Sequence, residues 1–517
     1  MSSTAEPLQE QAPPNRNAES PYDSTARNAD IILRSSDLIN FYVLKSFLSY
    51  VSPFFEDMFS LPSTTTNEIM NDFPVIAVAE TSETIRLLLD LIYPHVDKPQ
   101  IDNVALFLKV CKATQKYCMD IIENGLRKQI VTSHLTVSEP LRVYAVAIDL
   151  DWEEVALIAA RNASKISLDK LPRAEELQNI SGSGFFRFLD YKLRCDKLPF
   201  MDILKAPAPV TLAPNVRASS PAIFPQSAQT QKRFDKTTKA DVILRSKDGV
   251  DFYVLEDVVR AASHSSSSSD TPFPFGTANG ETSANGLTII NVAEDSEVLR
   301  HLLSFIYHIS DGCDSLTCQL CIQVVLAARR YGITIIETRL RKQAAASPFI
   351  SKEPLQMYIV ASALGWAELA KLAAINTLSS PLQNMFYTGN LNLITGADLY
   401  QLVSFRFRCA DAACKVIKDS ANYIAYGPGK WVWNQYSGIL SHHGPADELF
   451  EKLKSCPRGS TIKNAYGLED KTLSQYSRYA PTLSGPEFAG ILECRREMED
   501  AVEAAVGKVH FRICISQ

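Results

Sequence analysis

The chain has 517 residues, of which 46% are hydrophobic and 21% are charged, and its formal net charge is −6 at pH 7. At roughly 100 to 200 residues per domain, this length predicts about three folded units. So weak a net charge provides no field that would favour nucleic acid or acidic lipid, and we expect neither direct nucleic-acid binding nor membrane binding.

The N-terminal residues 1–28 predict an unstructured arm. They have neither the basic region nor the apolar core of a signal peptide, and no later run of 18 apolar residues could span a bilayer. The eleven cysteines are spread thinly, which favours reduced thiols over a disulfide framework. We therefore expect the protein in the cytoplasm, the nucleus or both.

An internal duplication dominates the rest of the chain. ADIILRSSDLINFYVL at 29–44 returns as ADVILRSKDGVDFYVL at 240–255, with eleven of sixteen positions identical. Further along, YCMDIIENGLRKQ at 117–129 returns as YGITIIETRLRKQ at 331–343, and Trp152 returns as Trp366. The repeated unit spans about 170 residues, and its two occurrences are called the first copy and the second copy below.

Within each copy the hydrophobic period changes from strand-like to helical. DIILRS and INFYVL predict short strands, and helix-start residues such as Ser82 and Pro140 introduce a long series of helices. The pattern predicts an α+β head followed by an all-helical extension. The predicted boundaries are 29–130 (first head), 131–196 (first extension), 197–239 (Pro/Ser-rich linker), 240–344 (second head), 345–411 (second extension) and 412–517 (C-terminal region, mainly helical, with one long helix).

In the first copy, Asp30, Phe41, Val43 and Lys45 precede the pattern L-x-x-x-S-x-x-F-x-x-M-F at 48–59. In these residues the first copy resembles a BTB/POZ domain. The helices after it are similar to the BACK-like extension of BTB adaptors, and the tandem arrangement resembles that of fungal intracellular proteins.

The second copy resembles a degenerate BTB domain. It departs from the pattern because Lys45 becomes Glu256, and because a serine- and glycine-rich segment follows FYVL where the first copy has the helical pattern of residues 46–59. Leu44 is a departure in the first copy, since the family usually has histidine there. The expected fold is thus α+β, with two BTB-like units, each with a helical extension.

The resemblance implies a protein-interaction scaffold or adaptor that acts by homo-, hetero- or intramolecular pseudo-dimerisation. Helical spacing turns Leu48, Phe55 and Phe59 inward and leaves Phe47, Val51 and Phe54 as the better surface candidates. The expected partner interface as a whole is Phe47, Tyr50, Val51, Phe54 and Phe55.

A charged pocket beneath the interface is a second implication of the resemblance. It would hold Asp30 and Lys45 in the first copy, but Asp241 and Glu256 in the second. Two like charges disfavour a homodimer of the second copy. We therefore predict that the two copies pair within one chain, which a linker spanning about 35 Å would permit.

Two alternatives stay open. A substrate adaptor of a cullin-type ubiquitin ligase would carry a hydrophobic-x-Glu motif, but Glu68 follows Thr66 and Asn67, so the motif is not met. A transcription-associated regulator would have to act without its own DNA-binding domain, because the chain has neither a zinc-finger array nor a basic recognition helix.

Catalytic motifs are missing from the sequence. It contains no phosphate-binding loop, nucleophile elbow or zincin motif, so we expect neither an enzyme nor a cofactor. Cys318 and Cys321 form a C-x-x-C, but they align with apolar Val104 and Phe107, which favours small core residues over half a zinc site. The spacing of Cys409, Cys414, His442, His443 and Cys456 is too irregular to predict a metal site.

The C-terminal sequence Cys-Ile-Ser-Gln resembles a prenylation signal at Cys514. Ser516 is a poor match to the aliphatic position, and no polybasic run precedes it. A chance occurrence of this motif is therefore favoured over prenylation of Cys514.

Overall fold

The structure is a computed structural model, and it describes residues 16–61, 68–94, 99–194, 234, 239–263, 275, 286–307, 316–382, 390–426, 446–464 and 485–511. The chain forms two compact units, residues 1–179 and 180–517, and each is described by itself. Both are mainly helical, with a small sheet. Among the described helices, none is both long and apolar enough to cross a membrane.

A five-stranded sheet organises the first unit. Its strands are β1 (Arg16–Asn17), β2 (Ile31–Arg34), β3 (Ile39–Val43), β4 (Ile69–Met70) and β5 (Phe73–Ala77), in the order β1-β3-β2-β5-β4. β2 runs antiparallel to β3 and parallel to β5. Because side chains alternate along a strand, Ile31 and Leu33 join the main core, whereas Ile32 joins a small cluster on the opposite face.

The helices of the first unit follow in chain order. They are α1 (Lys45–Val51), α2 (Pro53–Ser60), α3 (Ser82–Ile92), α4 (Val104–Lys116), α5 (Asp120–Thr132), α6 (Leu135–Ser138), α7 (Pro140–Asp149) and α8 (Glu153–Ser164), and two 3-10 turns follow at Leu168–Lys170 and Glu175–Gln178. α1 to α5 surround the sheet-based core, and α7 packs closely on α8.

The predicted unstructured arm is wrong for residues 16–28. β1 pairs in parallel with β3, and the Tyr22 side chain is only 1% exposed. The Tyr22 hydroxyl donates a hydrogen bond to Asp90 Oδ1 (2.9 Å), and its carbonyl accepts one from the Tyr42 amide (2.9 Å). One buried aromatic side chain thus holds a segment that is too polar to show hydrophobic periodicity. Residues 1–15 lie outside the described residues.

The second unit repeats the central strand arrangement of the first. Its strands β6 (Val242–Arg245), β7 (Asp251–Val254) and β8 (Thr288–Asn291) have the order β7-β6-β8, and β6 is antiparallel to β7 and parallel to β8. The helices that follow are α10 (Glu256–Ala262), α11 (Ser296–Ile306), α12 (Cys318–Arg330), α13 (Thr334–Ala346), α14 (Phe349–Lys352), α15 (Pro354–Ala363) and α16 (Ala367–Thr377).

Two predicted boundaries differ from the structure. Helix α9 (Gly182–Arg194), which the sequence placed in the first extension, belongs to the second compact unit. Helix α17 (Gly396–Tyr426) runs through the predicted boundary at 411/412, and α18 (Ala446–Ser455) and α20 (Gly485–Lys508) pack on it. The short helix α19 (Gly459–Asn464) packs on α20. The C-terminal helices therefore extend the second unit.

Corresponding side chains of the two copies make corresponding hydrogen bonds. Trp152 Nε1 donates to Glu123 Oε1 at 2.8 Å, and Trp366 Nε1 donates to Glu337 Oε1 at the same distance. Both indoles are buried, as expected for residues that recur at one helical position. Trp152 therefore anchors the first extension to α5, and Trp366 anchors the second extension to α13.

Candidate protein-interaction surface

The corner between α1 and α2 carries the residues predicted to contact a partner. Ser52 makes this corner: its hydroxyl accepts a hydrogen bond from the Phe55 amide (3.1 Å) and donates one to the Tyr117 carbonyl (2.5 Å). Pro53 occupies the first position of α2, where a missing amide hydrogen costs nothing. The corner is thereby fixed to the turn that joins α4 and α5.

Exposure separates the five predicted interface residues. Tyr50 is 80% exposed and Phe54 is 43% exposed, and Phe47 is partly buried against the core. Val51 and Phe55 are buried among the core residues, so neither of these predicted interface residues is accessible, and the expectation that Val51 faces solvent is wrong. One helical period does not run through this segment, because α1 ends at Val51, Ser52 is extended and α2 begins at Pro53. Leu48 and Phe55 face inward as predicted, and Phe59 is partly buried.

Ring contacts hold two of the accessible aromatic residues, Phe47 and Phe54, in place. The Phe47 and Tyr93 ring centroids are 4.7 Å apart, and Phe54 lies 5.5 Å from both Phe55 and Tyr117. These separations suit favourable aromatic pairs, so the rings lose little further freedom when a partner covers them. We call Phe47, Tyr50 and Phe54 the aromatic face.

The two aspartates of the predicted charged pocket bond to backbone. Asp30 Oδ1 accepts a hydrogen bond from the Lys45 amide at 2.7 Å, and Asp241 Oδ1 accepts one from the Glu256 amide at the same distance. Each carboxylate thus satisfies an amide at the positive end of a helix. This hydrogen bond needs only the backbone amide of residue 45 or 256. The aspartate can therefore recur in both copies while the side chain at that position changes from lysine to glutamate.

The side chains of Lys45 and Glu256 have other neighbours. Lys45 Nζ lies 5.8 Å from the centroid of the Phe59 ring. Glu256 Oε1 forms an ion pair with Arg260 Nη2 at 2.5 Å on the same helix. Because Arg260 offsets the negative charge, the repulsion expected between Asp241 and Glu256 is a weaker argument against a homodimer of the second copy.

Hydrogen bonds to Glu80 stabilise the turn between α4 and α5, which lies beneath the aromatic face. The Tyr117 hydroxyl donates to Glu80, which also accepts from Lys116 Nζ at 2.7 Å. Burial and then the hydrogen bond to Glu80 raise the pKa of Tyr117. Burial acts to raise the pKa of Glu80 as well, but the hydrogen bonds from Lys116 and Tyr117 outweigh it and lower that pKa. Glu80 is therefore held as a carboxylate.

The second copy covers the equivalent tyrosine differently. In the first copy, Phe55 lies against Tyr117 with ring centroids 4.9 Å apart; in the second, Phe275 stacks on Tyr331 at 4.1 Å and is 5% exposed. α10 supplies the counterpart of α1, so the prediction that the second copy lacks the whole helical element is wrong for that helix. Residues 264–271, which align with α2, lie outside the described residues.

Hydrophobic periodicity does not predict three of the buried aromatic side chains. Tyr22, Phe234 and Phe275 are all buried, and all come from segments rich in proline, serine or other polar residues. Tyr22 and Phe234 occupy matching places, since the Tyr253 amide donates to the Phe234 carbonyl at 3.0 Å as Tyr42 does to Tyr22. An aromatic residue about 20 positions before each FYVL was the available signal.

The described residues place the C-x-x-C pair in the core. They contain no group of three or more histidine, cysteine or acidic side chains placed to hold a metal ion. Cys318 and Cys321 are buried, and burial raises the pKa of Cys318 to about 12, so its thiol donates to Gln356 Oε1 (3.2 Å) instead of ionising. His442, His443 and Cys514 lie outside the described residues.

The first unit matches a known protein family. A family model described as BTB/POZ domain matches residues 22–133. It begins at the buried Tyr22 and ends just after α5, so it covers β2 to β5 and α1 to α5. No curated protein matches the chain. The first unit therefore contains one BTB/POZ domain, a type of domain that mediates protein–protein interaction and dimerisation.

Proposed function

We propose that this protein is an interaction scaffold or adaptor. Through the aromatic face of its BTB domain, it pairs with another molecule of the same chain or with a BTB-containing partner. The observation that carries the proposal is the exposure of Tyr50 and Phe54 on a corner where the neighbouring aromatic side chains are buried. Large aromatic side chains on a rigid surface are typical energetic centres of interfaces.

The size of the expected effect follows from the area that these rings would bury. A Tyr or Phe side chain buries about 150 to 250 Å², and at about 25 cal/mol per Å² even half of that contributes roughly 2 to 3 kcal/mol. Tyr50 and Phe54 together could therefore change a dissociation constant by a factor of about 10³. This is enough to decide whether the chain associates.

The second copy enters the same proposal as a degenerate BTB-like head. The matching order and direction of β7-β6-β8, the matched aspartates and the matched tryptophans support a tandem arrangement in which each head has a BACK-like extension. Tyr50 aligns with Ala261, so the second copy lacks the most exposed ring of the aromatic face. Partner binding is therefore assigned to the first copy.

The other predicted roles gain no specific support. Glu68, the acidic residue considered for cullin recognition, forms an ion pair with Arg34 (2.6 Å). The transcription-associated role, the pairing of the two heads within one chain, and the location in cytoplasm or nucleus all stay predictions.

A site-specific cross-link tests the proposed surface in the purified full-length protein. A photoreactive phenylalanine analogue at position 50 should link two chains, because the ring would be covered by the partner. The same analogue at Val137, a 72% exposed residue of the same unit, is the matched control. Cross-linked pairs of chains from position 50 well above those from position 137 are expected; equal yields would contradict self-association through this face.

A further inference from the structure

Two equivalent segments meet in the second unit with nearly symmetric hydrogen bonds. The Gly182 amide donates to the Ile394 carbonyl at 2.7 Å, and the Gly396 amide donates to the Ile180 carbonyl at 2.8 Å. Between these bonds, Ser181 and Thr395 form an antiparallel bridge. The residues of each pair belong to the starts of α9 and α17.

The repeat makes this arrangement symmetric. Residue 180 corresponds to 394 and residue 182 to 396, at the offset of 214 that also relates Trp152 to Trp366. Each of the two backbone hydrogen bonds is therefore the counterpart of the other, and the bridge between Ser181 and Thr395 is its own counterpart. This reciprocity is the mark of a two-fold, isologous interface between identical partners.

The two helices also bury the same stripe. In α9 the fully buried side chains are Phe185, Phe188 and Leu189, and the positions that correspond in α17 are Leu399, Leu402 and Val403, which are also buried. α9 packs on α17, and the Phe185 and Tyr400 rings meet at 6.0 Å in an edge arrangement. An i, i+3, i+4 stripe on both partners is what helix pairing requires.

Contacts at Gly182 show how close the approach is. A Cβ atom at this position would lie 2.6 Å from the Leu391 carbonyl oxygen and 3.0 Å from Ile394 Cγ1. The neighbouring Ser183 hydroxyl donates to the Asn392 side-chain oxygen. This last bond breaks the symmetry, because the counterparts of Ser183 and Asn392 are Ala397 and Gln178.

We propose that the helix that ends each extension is a homotypic dimerisation element, and that in this chain the two elements, residues 180–194 and 390–405, pair with each other. This interface does not involve the aromatic face and does not depend on the function proposed for it. It also gives the second unit a helix from the sequence of the first copy. The chain thus carries a second association surface whose occupant is its own segment.

Cleavage of the full-length protein tests the pairing. A protease site is placed between residues 205 and 225, and the native protein is cut and passed over a size-exclusion column. The two fragments should co-elute, because α9 of the first stays on α17 of the second. Gly182→Val should weaken that association about tenfold or more, since it puts side-chain atoms against backbone. Gly125→Val is the control, because a Cβ there meets no atom within 4 Å.

A disulfide gives a readout that does not depend on the glycine variant folding. Ser183→Cys with Asn392→Cys should join the two fragments covalently after cleavage, as seen on a non-reducing gel. A link within one chain, or between two chains that exchange α9, supports the homotypic element. Three results would each overturn the proposal: separation of the two fragments of the cleaved protein without denaturant, no link by Ser183→Cys/Asn392→Cys, or co-elution unchanged by Gly182→Val in folded protein.

Discussion

The Phe275 ring stacks on the Tyr331 ring with their centroids 4.1 Å apart and their planes 27° apart. In the first copy, Phe55 covers the corresponding Tyr117 at 4.9 Å and 30°. The same position on the core is therefore filled from α2 in one copy and from a serine-rich insertion in the other. The requirement that persists is an aromatic cover for this tyrosine.

Replacing Phe275 tests whether that cover stabilises the second unit. Phe275→Ala should lower the free energy of unfolding by about 3 kcal/mol, the usual cost of removing a buried phenylalanine. Leu372→Ala, which removes an apolar side chain of the same unit that is 44% exposed, should cost much less. Urea titration followed by tyrosine and tryptophan fluorescence measures both. Equal effects of the two changes would show that Phe275 does not anchor its segment.

Strain at Cys118 gives a prediction in the stabilising direction. Cys118 has φ +53°, a left-handed conformation, and its counterpart in the second copy is Gly332 with φ +70°. Cys118→Gly should raise the unfolding free energy by about 0.5 to 1 kcal/mol, because a non-glycine residue pays about 1 to 2 kcal/mol in this region and part of it is offset by glycine's unfolded entropy. Thermal unfolding measures the change. Cys118→Ala keeps the strain, and an equal gain from it would refute this explanation.

Substitutions at Asp30 and Lys45 test whether Asp30 caps α1 or forms a charged pocket with the lysine side chain. Asp30→Ala should lower stability by about 1 kcal/mol, because the Lys45 amide at the start of α1 loses its acceptor. Lys45→Ala should change it by less than about 0.5 kcal/mol, because Asp30 bonds to the backbone and not to the lysine side chain. Chemical denaturation of the two variants decides between the roles. A large effect of Lys45→Ala would restore the side-chain pair.

Glu337 links stability to pH. The hydrogen bond from Arg329 lowers the pKa of Glu337. Burial acts in the opposite direction, and the hydrogen bond from Trp366 lowers the pKa further. A carboxyl whose pKa is lower in the folded state stabilises the fold fully above its unfolded pKa of about 4.3, and that contribution is lost as the pH falls through the folded value. Glu337→Gln should therefore be less stable than wild type at pH 7, and the difference should shrink towards pH 3. A difference independent of pH would contradict the assignment.

The duplication made much of the fold predictable. It placed the strands that contain Leu33 and Leu244, and the recurrence of Trp152 and Trp366 indicated packing positions. Periodicity could not find Tyr22 or Phe275, because a single aromatic anchor in a polar segment leaves no pattern. The helical pattern predicted for residues 131–196 likewise does not say which helix covers the buried stripe of α9.

The candidate surface was predictable only in part. The pattern placed the helical element at residues 46–59 and predicted the inward positions Leu48 and Phe55. It misplaced Val51, because one helical phase cannot be carried across Ser52-Pro53. The capping role of Asp30 was invisible to spacing, since its acceptor meets a backbone amide fifteen residues away.

The most direct test of the central claim is the dissociation constant of the full-length protein, measured by sedimentation equilibrium for the wild type, the double variant Tyr50→Ala/Phe54→Ala, and the control Val137→Ala. We expect a wild-type dimer, an association weakened by about 10³ or more in the double variant because each chain loses both rings, and no change in the control. A double variant that associates as tightly as the wild type would contradict the assignment of this face as the interaction surface.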